Sequence, residues 1–337
     1  MFAALDLGTN NCRLLIVSSG RRGIKVIDNY NRVVRLGEGL YESGVLSEAA
    51  MERTLFALRH CAARIERRKS FKLYAVATEA CRRASNASTF LKRVHNETGL
   101  NINIISPREE AELAVAGCSA FLHDKLLRRN RTKTLLFDIG GGSTEIAWVR
   151  IDPIRKKQTL IGCCSIPVGV ITLREQFRRL TLNEYYHMVD YVLNKINAFE
   201  RIHQIRAEIL REQVQFVGVS GTITALASMI LKQPKYSRSA IDGLLLETSQ
   251  VKDMVRHILV SKFNKIYDYS TVNQSRLHYL LPGCAIFEAI HTVWPVEDIV
   301  VADRGIRDGI IAKMLEANKS HNTGKNHFHS SRFFVKN

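Results

Sequence analysis

The sequence has no apolar run near the roughly 18 residues that would cross a membrane. Its first residues read directly into a strand, so neither a membrane span nor a signal peptide is expected. It also lacks any Cys-x-x-Cys pair. Its seven cysteines stand singly apart from Cys163 and Cys164, and their number is odd. That argues against a disulfide frame or a zinc site and suits reduced thiols in a cytoplasm. Acids are scarce: 32 Asp and Glu stand against 49 Lys and Arg, for a net charge of +17. The surplus favours a polyanionic partner or substrate. Helix-turn-helix, zinc-finger and aromatic RNA-binding motifs are missing too, so specific nucleic-acid recognition is not expected. A phosphate-rich small molecule or polymer fits better. Any single basic cluster, such as residues 128–133, also reads as solvated surface.

A length of 337 residues suits about two domains, each large enough for its own core. The most informative stretch is Leu135-Leu-Phe-Asp-Ile-Gly-Gly-Gly-Ser-Thr-Glu-Ile-Ala-Trp-Val149. An apolar run leads into Asp138, then Gly140, Gly141, Gly142, Ser143, Thr144 and Glu145, and a second β-prone run follows. Glycines let backbone N–H groups converge on an anion, and the hydroxyls add donors. A bare phosphate would not favour Asp138 and Glu145 nearby. A divalent cation between carboxylate and phosphate reconciles them, so the segment points to a Mg2+-phosphate site on a hairpin. The plainer alternative is an ordinary Gly-rich hairpin. The pattern occurs twice: Ala3-Ala-Leu-Asp6-Leu-Gly8-Thr9-Asn10-Asn11-Cys-Arg13 again runs strand, Asp-x-Gly, polar donors, strand. Two copies imply two related domains facing each other across a cleft with two phosphate loops.

Elsewhere the chain alternates strands and helices. Strands are expected at 25–27 and 33–36. A helix follows Ser47, with Met51, Leu55, Leu58, Ala62 and Ile65 on one stripe. Ser106 and Pro107 open a further helix, expected to run through Leu122, with Glu109 completing a capping box. Glu110 then stands in its first turn, where carboxylates commonly just complement the helix dipole. Gln215-Phe-Val-Gly-Val leads to Ser220, Gly221 and Thr222 at a helix start, which reads equally as a phosphate site or a plain cap. Residues 279–283 read as a turn, and the last helix is expected to end near Leu315. From Asn318 the composition shifts to a basic tail without acids, read as disordered, whose His321, His327 and His329 are better taken as solvated than as metal ligands.

The ordered set Asp6-Leu-Gly-Thr-Asn, Ala77-Thr-Glu-Ala-Cys-Arg82, Asn86, Ile105-Ser-Pro-Arg-Glu-Glu-Ala111, Asp138-Ile-Gly-Gly-Gly-Ser-Thr-Glu145, Pro167-Val-Gly, Gly218-Val-Ser-Gly-Thr222 and Asp303-Arg-Gly-Ile-Arg-Asp-Gly309 resembles the exopolyphosphatase / guanosine pentaphosphate phosphohydrolase family. The likeness runs from about residue 2 to 315. It implies an α/β fold with two related βα domains of the actin and sugar-kinase type around a central cleft, each with a phosphate-binding hairpin. The domains would be 1–118 and 119–303, with a last helix near 304–316 free to pack back on the first, and 318–337 as tail. It also implies Mg2+-dependent hydrolysis of terminal phosphoanhydrides in inorganic polyphosphate or guanosine pentaphosphate. Glu110 falls on the family's catalytic glutamate and Arg82 on its phosphate-contacting arginine. Asp6, Gly8, Thr9, Asn10, Asn11 and Arg13 would form the first phosphate loop. Gly140 to Thr144 would form the second, Ser220, Gly221 and Thr222 would supply further phosphate contacts, and Asp138 and Glu145 would be the metal-linked acids.

Three departures stand out. Thr9 and Asn11 replace common serines, Pro107 replaces a common glycine, and an extra helical domain of long members does not follow, which puts long-chain preference in question. A kinase or ATPase of the same superfold, or a non-catalytic polyanion or RNA binder, are the rival readings. Association of two copies is compatible with the sequence.

Overall fold

The computed structural model describes residues 1–20, 23–68, 71–124, 131–179, 181–233, 235–260 and 274–322, with side chains left aside at 274–277 and 320–322. The chain forms two compact units, Met1–Gly117 with the segment from Ile306 onward, and Cys118–Gly305.

The first unit is built on a five-stranded sheet. Strands β1 (Phe2–Leu7), β2 (Asn11–Gly20), β3 (Gly23–Val33), β4 (Lys72–Ala77) and β5 (Asn103–Ile104) lie in the order β3-β2-β1-β4-β5. β1 runs antiparallel to β2 and parallel to β4. Successive side chains of a strand point to opposite faces, and both faces here are covered. Ala3, Leu5, Leu7, Leu14 and Ile16 pack with Leu55, Leu58, Phe90 and Val94, from helices α2 (Glu48–Glu66) and α4 (Ala87–Thr98). Ala4, Leu15, Val17, Tyr74 and Val76 pack with Leu113, Ile310, Ile311 and Met314, from α5 (Pro107–Gly117) and the last helix, α14 (Ile306–Asn322). This double cover explains why β1 is an unbroken buried run rather than an alternating one. Short helices α1 (Leu40–Ser43) and α3 (Glu79–Arg83) complete the unit. Asn86 pins the loop before α2: its amide accepts from Leu46 N at 2.8 Å and donates to Leu46 O at 2.9 Å.

In the second unit α6 (Ser119–His123) precedes β6 (Lys133–Ile139), β7 (Thr144–Asp152) and β8 (Lys157–Ile166). Helices α7 (Val170–Gln176), α8 (Leu182–His203) and α9 (Ile205–Leu210) lead to β9 (Val214–Ser220). Then come α10 (Gly221–Ile230), α11 (Arg238–Ile241), β10 (Leu245–Glu247), α12 (Thr248–Val260), α13 (Gln274–Val293) and β11 (Asp298–Ala302). The sheet order is β10-β11-β9-β6-β7-β8. Read from β8, it repeats the first unit through the antiparallel β8-β7-β6 and the parallel β9 and β11, and adds β10 antiparallel at the edge. The duplication expected from the two Asp-x-Gly segments is therefore present as topology, in two βα units.

Several local expectations need correction. Residues 279–283 are not a turn, because Pro282 lies inside α13. That helix is held by packing on both sides. At Gly283 a Cβ would stand 2.1 Å from Thr222 Oγ1, a closeness only glycine allows. Tertiary contact there outweighs the proline's missing N–H. The strand expected at 25–27 is part of the longer β3, but the one expected at 33–36 is not formed, because the chain leaves the sheet after Val33. The helix expected through Leu122 breaks at Cys118 into α5 and α6. The last helix passes Leu315 and reaches Asn322, so the start of the supposed tail is helical, and Lys72 Nζ donates to Asn318 Oδ1 at 2.9 Å. The rest of that tail, with His327 and His329, the side chain of His321, and residues 128–130 lie outside the described residues. Of the basic cluster, Arg131 pairs with Asp298 and Lys133 with Glu208. No helix among the described residues is long and apolar enough to cross a membrane.

Candidate active site

The two hairpins turn in the same way. Gly8 N donates to Asn11 O at 2.9 Å, and Gly140 N donates to Ser143 O at 2.9 Å. The register then places Asp6 opposite Arg13 and Asp138 opposite Glu145. Each acid thus faces the residue seven positions on. Directly opposed residues on antiparallel strands share a sheet face with adjacent Cβ atoms. The first hairpin therefore sets an acid beside a cation, and the second sets an acid beside an acid.

Around the first hairpin the chain that leaves β3 wraps the turn. Val34 N and Arg35 N donate to Asn10 O, and Gly37 N donates to Thr9 O. A Cβ on Gly37 would meet Thr9 Cγ2 at 2.2 Å. Asn11 Nδ2 donates to Asn31 Oδ1 at 2.8 Å. Asp6 is buried, and its Oδ1, like Asn10 Oδ1, has no hydrogen-bond partner among the described residues. Burial raises the Asp6 carboxyl above its ordinary value of 3.8, with Arg13 and Arg307 pulling the other way. The charged carboxylate thus opposes folding above that raised value, and the cost vanishes as the pH falls below 3.8, where Asp6 is protonated in both states. Asp6→Asn is expected to stabilise the protein by about 1 kcal/mol at pH 7, with the gap closing on acidification and activity lost. Melting curves at pH 7 and near pH 4 check this. An equal or lower Tm at pH 7 would remove the argument that Asp6 is kept for a ligand.

The same edge of the first unit holds Glu110 and Arg82. Thr78 N donates to Leu7 O and Ile105 N to Ala77 O. The starts of α3 and α5 thus gather with the first hairpin at the carboxyl ends of the parallel strands, the usual ligand edge of such sheets. Ser106 caps α5 by accepting from Glu109 N at 3.2 Å, and Tyr74 donates to Glu109 Oε1 at 3.0 Å. Glu110, next in the turn, is only 6% exposed and accepts from Arg82 Nη1 at 2.6 Å. Arg82 also donates to Ile105 O at 3.0 Å and pairs with Glu79 at 2.9 Å. Burial works against the charge on Arg82, but Glu110 and Glu79 more than offset it. The structure thus joins Glu110 and Arg82, which the sequence separates by 28 positions.

In the second unit Glu145 is 2% exposed. Its Oε1 accepts from Ser143 Oγ at 2.6 Å and from Ser165 Oγ at 2.8 Å. Asp138 lies directly opposite on β6. Val170 N and Ile171 N donate to Gly140 O and Gly141 O. A Cβ on Gly169 would stand 2.4 Å from Gly141 C. Gly169 thus serves close backbone approach to the turn, and within the turn a Cβ on Gly140 would stand 2.9 Å from Ser143 O. Thr144 Oγ1 donates to Val168 O at 2.7 Å, and Ser220 Oγ caps α10 by accepting from Ile223 N at 3.0 Å. Thr222 packs against Gly283. The Thr144 hydroxyl hydrogen is therefore spent inside the fold, whereas Ser220, which only accepts in its cap, keeps its O–H as a donor.

No group of three or more His, Cys, Asp or Glu side chains suited to a metal occurs among the described residues. Two hard carboxylates on one face are what Mg2+ ordinarily takes from protein, the remaining ligands being phosphate and water. The donor set of Asp138 and Glu145 fits that ion. Sequence reasoning passed over Glu79 and Ser165, which hold Arg82 and Glu145. It also passed over Arg35, a non-glycine residue at φ 49° against the first turn. Glu79 stood inside a quoted motif three residues before Arg82. Ser165 carried no local signal.

Residues 15–318 match the Ppx/GppA phosphatase family. The chain is 28% identical over 325 residues to a bifunctional 3-dehydroquinate synthase/phosphatase of Fusobacterium nucleatum, covering 93% of this chain but 46% of that protein. It is 27% identical to a putative exopolyphosphatase of Haemophilus influenzae, covering 92% and 90%. It is 26% identical to a guanosine-5'-triphosphate,3'-diphosphate pyrophosphatase of Photobacterium profundum, covering 95% and 60%. It thus spans about half to nine-tenths of these relatives. Among solved structures, the Aquifex aeolicus Ppx/GppA family member superposes with a TM-score of 0.74 at 25% identity, covering 94% of this chain and 98% of the other. An exopolyphosphatase of Cytophaga hutchinsonii shares the fold, with a TM-score of 0.80 at 21% identity over 94% and 97%. With paired Asp-x-Gly hairpins, a buried Glu–Arg pair and a family match across most of its length, the chain belongs to the Ppx/GppA phosphatase family.

Proposed function

We propose that this protein hydrolyses the terminal phosphoanhydride of inorganic polyphosphate or guanosine pentaphosphate. The observation that carries the reading is the Glu110–Arg82 pair beside the first hairpin. A buried carboxylate held by a guanidinium is a general base kept waiting. When a terminal phosphate takes up Arg82, the pair opens and Glu110 is free for water. Glu110 then accepts a proton as the water oxygen bonds to the terminal phosphorus. The bridging P–O bond breaks, orthophosphate forms, and the shortened chain leaves with the bridging oxygen. Arg82 and the N–H groups of the Gly8 turn stabilise charge on the transferred group. Such transfer needs mainly positioning and charge stabilisation. Glu79 keeps Arg82 oriented throughout.

Asp138 and Glu145 would hold Mg2+, with Ser143 and Ser165 fixing the Glu145 carboxylate. When bound, the ion would neutralise phosphate charge. Asp138→Ala or Glu145→Ala should raise the Mg2+ needed for half-maximal activity at least about tenfold, and Ser165→Ala should do so more weakly. The names of the Haemophilus and Photobacterium relatives support the two substrate classes. The test is orthophosphate release from polyphosphates of defined length and from guanosine pentaphosphate, with Mg2+ and with excess EDTA. Release from at least one, abolished by EDTA, is expected. Full activity in EDTA would end the metal assignment, and silence on both substrates would end the proposal.

A further inference from the structure

The second unit has a cavity of about 420 Å3 that the hydrolytic reading does not use. Four helices build it. From α12 come Lys252, Val255, Arg256 and Leu259, spaced i, i+3, i+4 and i+7, so one helix face turns inward. From α13 come Phe287, Glu288, His291 and Thr292, again one face. Tyr186 enters from α8 and Arg206 from α9. The size falls within the roughly 300–1,000 Å3 of small-molecule sites.

The lining mixes apolar and aromatic side chains with cations, and on α12 Lys252 and Arg256 share a face with Val255 and Leu259. Tyr186 leaves half its surface exposed. Arg206 and Lys252 make no side-chain hydrogen bond or ion pair among the described residues, while Arg256 meets only the exposed Asp253 at 2.8 Å. The single acid in the wall, Glu288, already accepts from Tyr185 at 2.5 Å. His291 turns Nε2 to Val296 O at 3.0 Å, so that nitrogen carries the hydrogen and Nδ1 is left as an acceptor. Burial and the nearby Lys252 keep the imidazole neutral below its usual range. The wall thus presents three cations against one hydrogen-bonded acid.

The cavity is set apart from the Asp138 hairpin. Gly283 of α13 touches Thr222 at the carboxyl end of β9. His291 stands eight residues further along the same helix, about 12 Å at 1.5 Å per residue.

We propose that this cavity is a binding site for a phosphorylated nucleoside, its phosphate held by Arg206, Lys252 and Arg256 and its base laid against Tyr186 and the apolar wall. An arginine fork and two further cations suit a phosphate dianion. A half-exposed tyrosine ring beside apolar side chains suits a flat ring. A site on this side of the unit would let the protein sense nucleotide without blocking its phosphate hairpins.

The test uses GMP and AMP, monoesters with no anhydride to hydrolyse, so its outcome is independent of the proposed reaction. Calorimetric titration of the full chain should show one site for at least one of them. Arg206→Ala/Lys252→Ala should weaken it at least about tenfold, and Tyr186→Ala about fivefold or more, with orthophosphate release from tripolyphosphate unchanged. Bound nucleotide should also shield Lys252 from amine acylation, read by mass spectrometry on the unmutated protein. No binding of either nucleotide, or binding indifferent to the substitutions, would overturn the site. Equal shielding by tripolyphosphate would overturn the nucleoside part, since phosphate alone would then suffice.

Discussion

Glu110→Gln should fold, melt near the parent temperature, bind substrate, and lose roughly 10²–10⁴-fold in kcat, the usual cost of removing a general base. The amide keeps the shape of the side chain, and its carbonyl oxygen can still accept from Arg82 Nη1, now at 2.6 Å from Glu110 Oε2. What it cannot do is take a proton from water. KM should change little, because Arg82 remains charged and is, if anything, freer for phosphate once its partner is neutral. Arg82→Lys should show the complementary pattern. It loses the fork that reaches Glu79, Ile105 O and Glu110 at once, so both kcat and KM should suffer. Steady-state orthophosphate release with matched melting curves separates the cases. A Glu110→Gln enzyme within about threefold of the parent kcat would remove this residue from the role of base.

Gly309→Ala should be strongly destabilising. A Cβ there would stand 1.9 Å from Leu113 O and 2.7 Å from Leu113 C. Both partners are backbone, so no rotamer change relieves the clash, and α14 must move away from α5. Overpacking of this kind costs about 1–3 kcal/mol or more, which lowers Tm by about 2–4 °C per kcal/mol at this domain size. The functional consequence follows from position. Leu113 lies three residues after Glu110, one turn up the same helix. A shift of α5 carries the carboxylate with it, and a misplacement of about 1 Å can cost about 10²-fold in rate. Gly20→Ala is the control, since nothing lies within 4 Å of its added Cβ. A Gly309→Ala protein with parent Tm and kcat would show that the α5–α14 crossing does not position the base.

The paired hairpins were legible because their chemistry is local: an apolar strand, Asp, a glycine turn and polar donors recur within a dozen residues. Ser106 as a cap was legible for the same reason, and it placed Glu110 in the first turn of α5. What the linear text concealed is what depends on register and distant contact. Arg13 and Glu145 occupy equivalent positions seven residues after Asp6 and Asp138, yet their opposite charges acquire meaning only once the strands are paired. The Thr144 hydroxyl looked available for phosphate and donates instead to Val168 O, while Ser220 caps α10 by accepting from Ile223 N. Pro282 read as a turn because propensity spoke for one, and the close approach of α13 to Thr222 at Gly283 decided otherwise. Ser165 gave no signal at all, since its role beside Glu145 arises from strand pairing across 20 residues.

The central claim is transfer of a terminal phosphoryl group to water at Glu110. Reaction in 18O-labelled water, with Mg2+ and either tripolyphosphate or guanosine pentaphosphate, tests it most directly by mass analysis of the products. One 18O is expected in each orthophosphate released and none in the shortened chain, with release nearly abolished in Glu110→Gln. Phosphate passed to another acceptor instead of water, label in the shortened chain, or undiminished release by Glu110→Gln would contradict it.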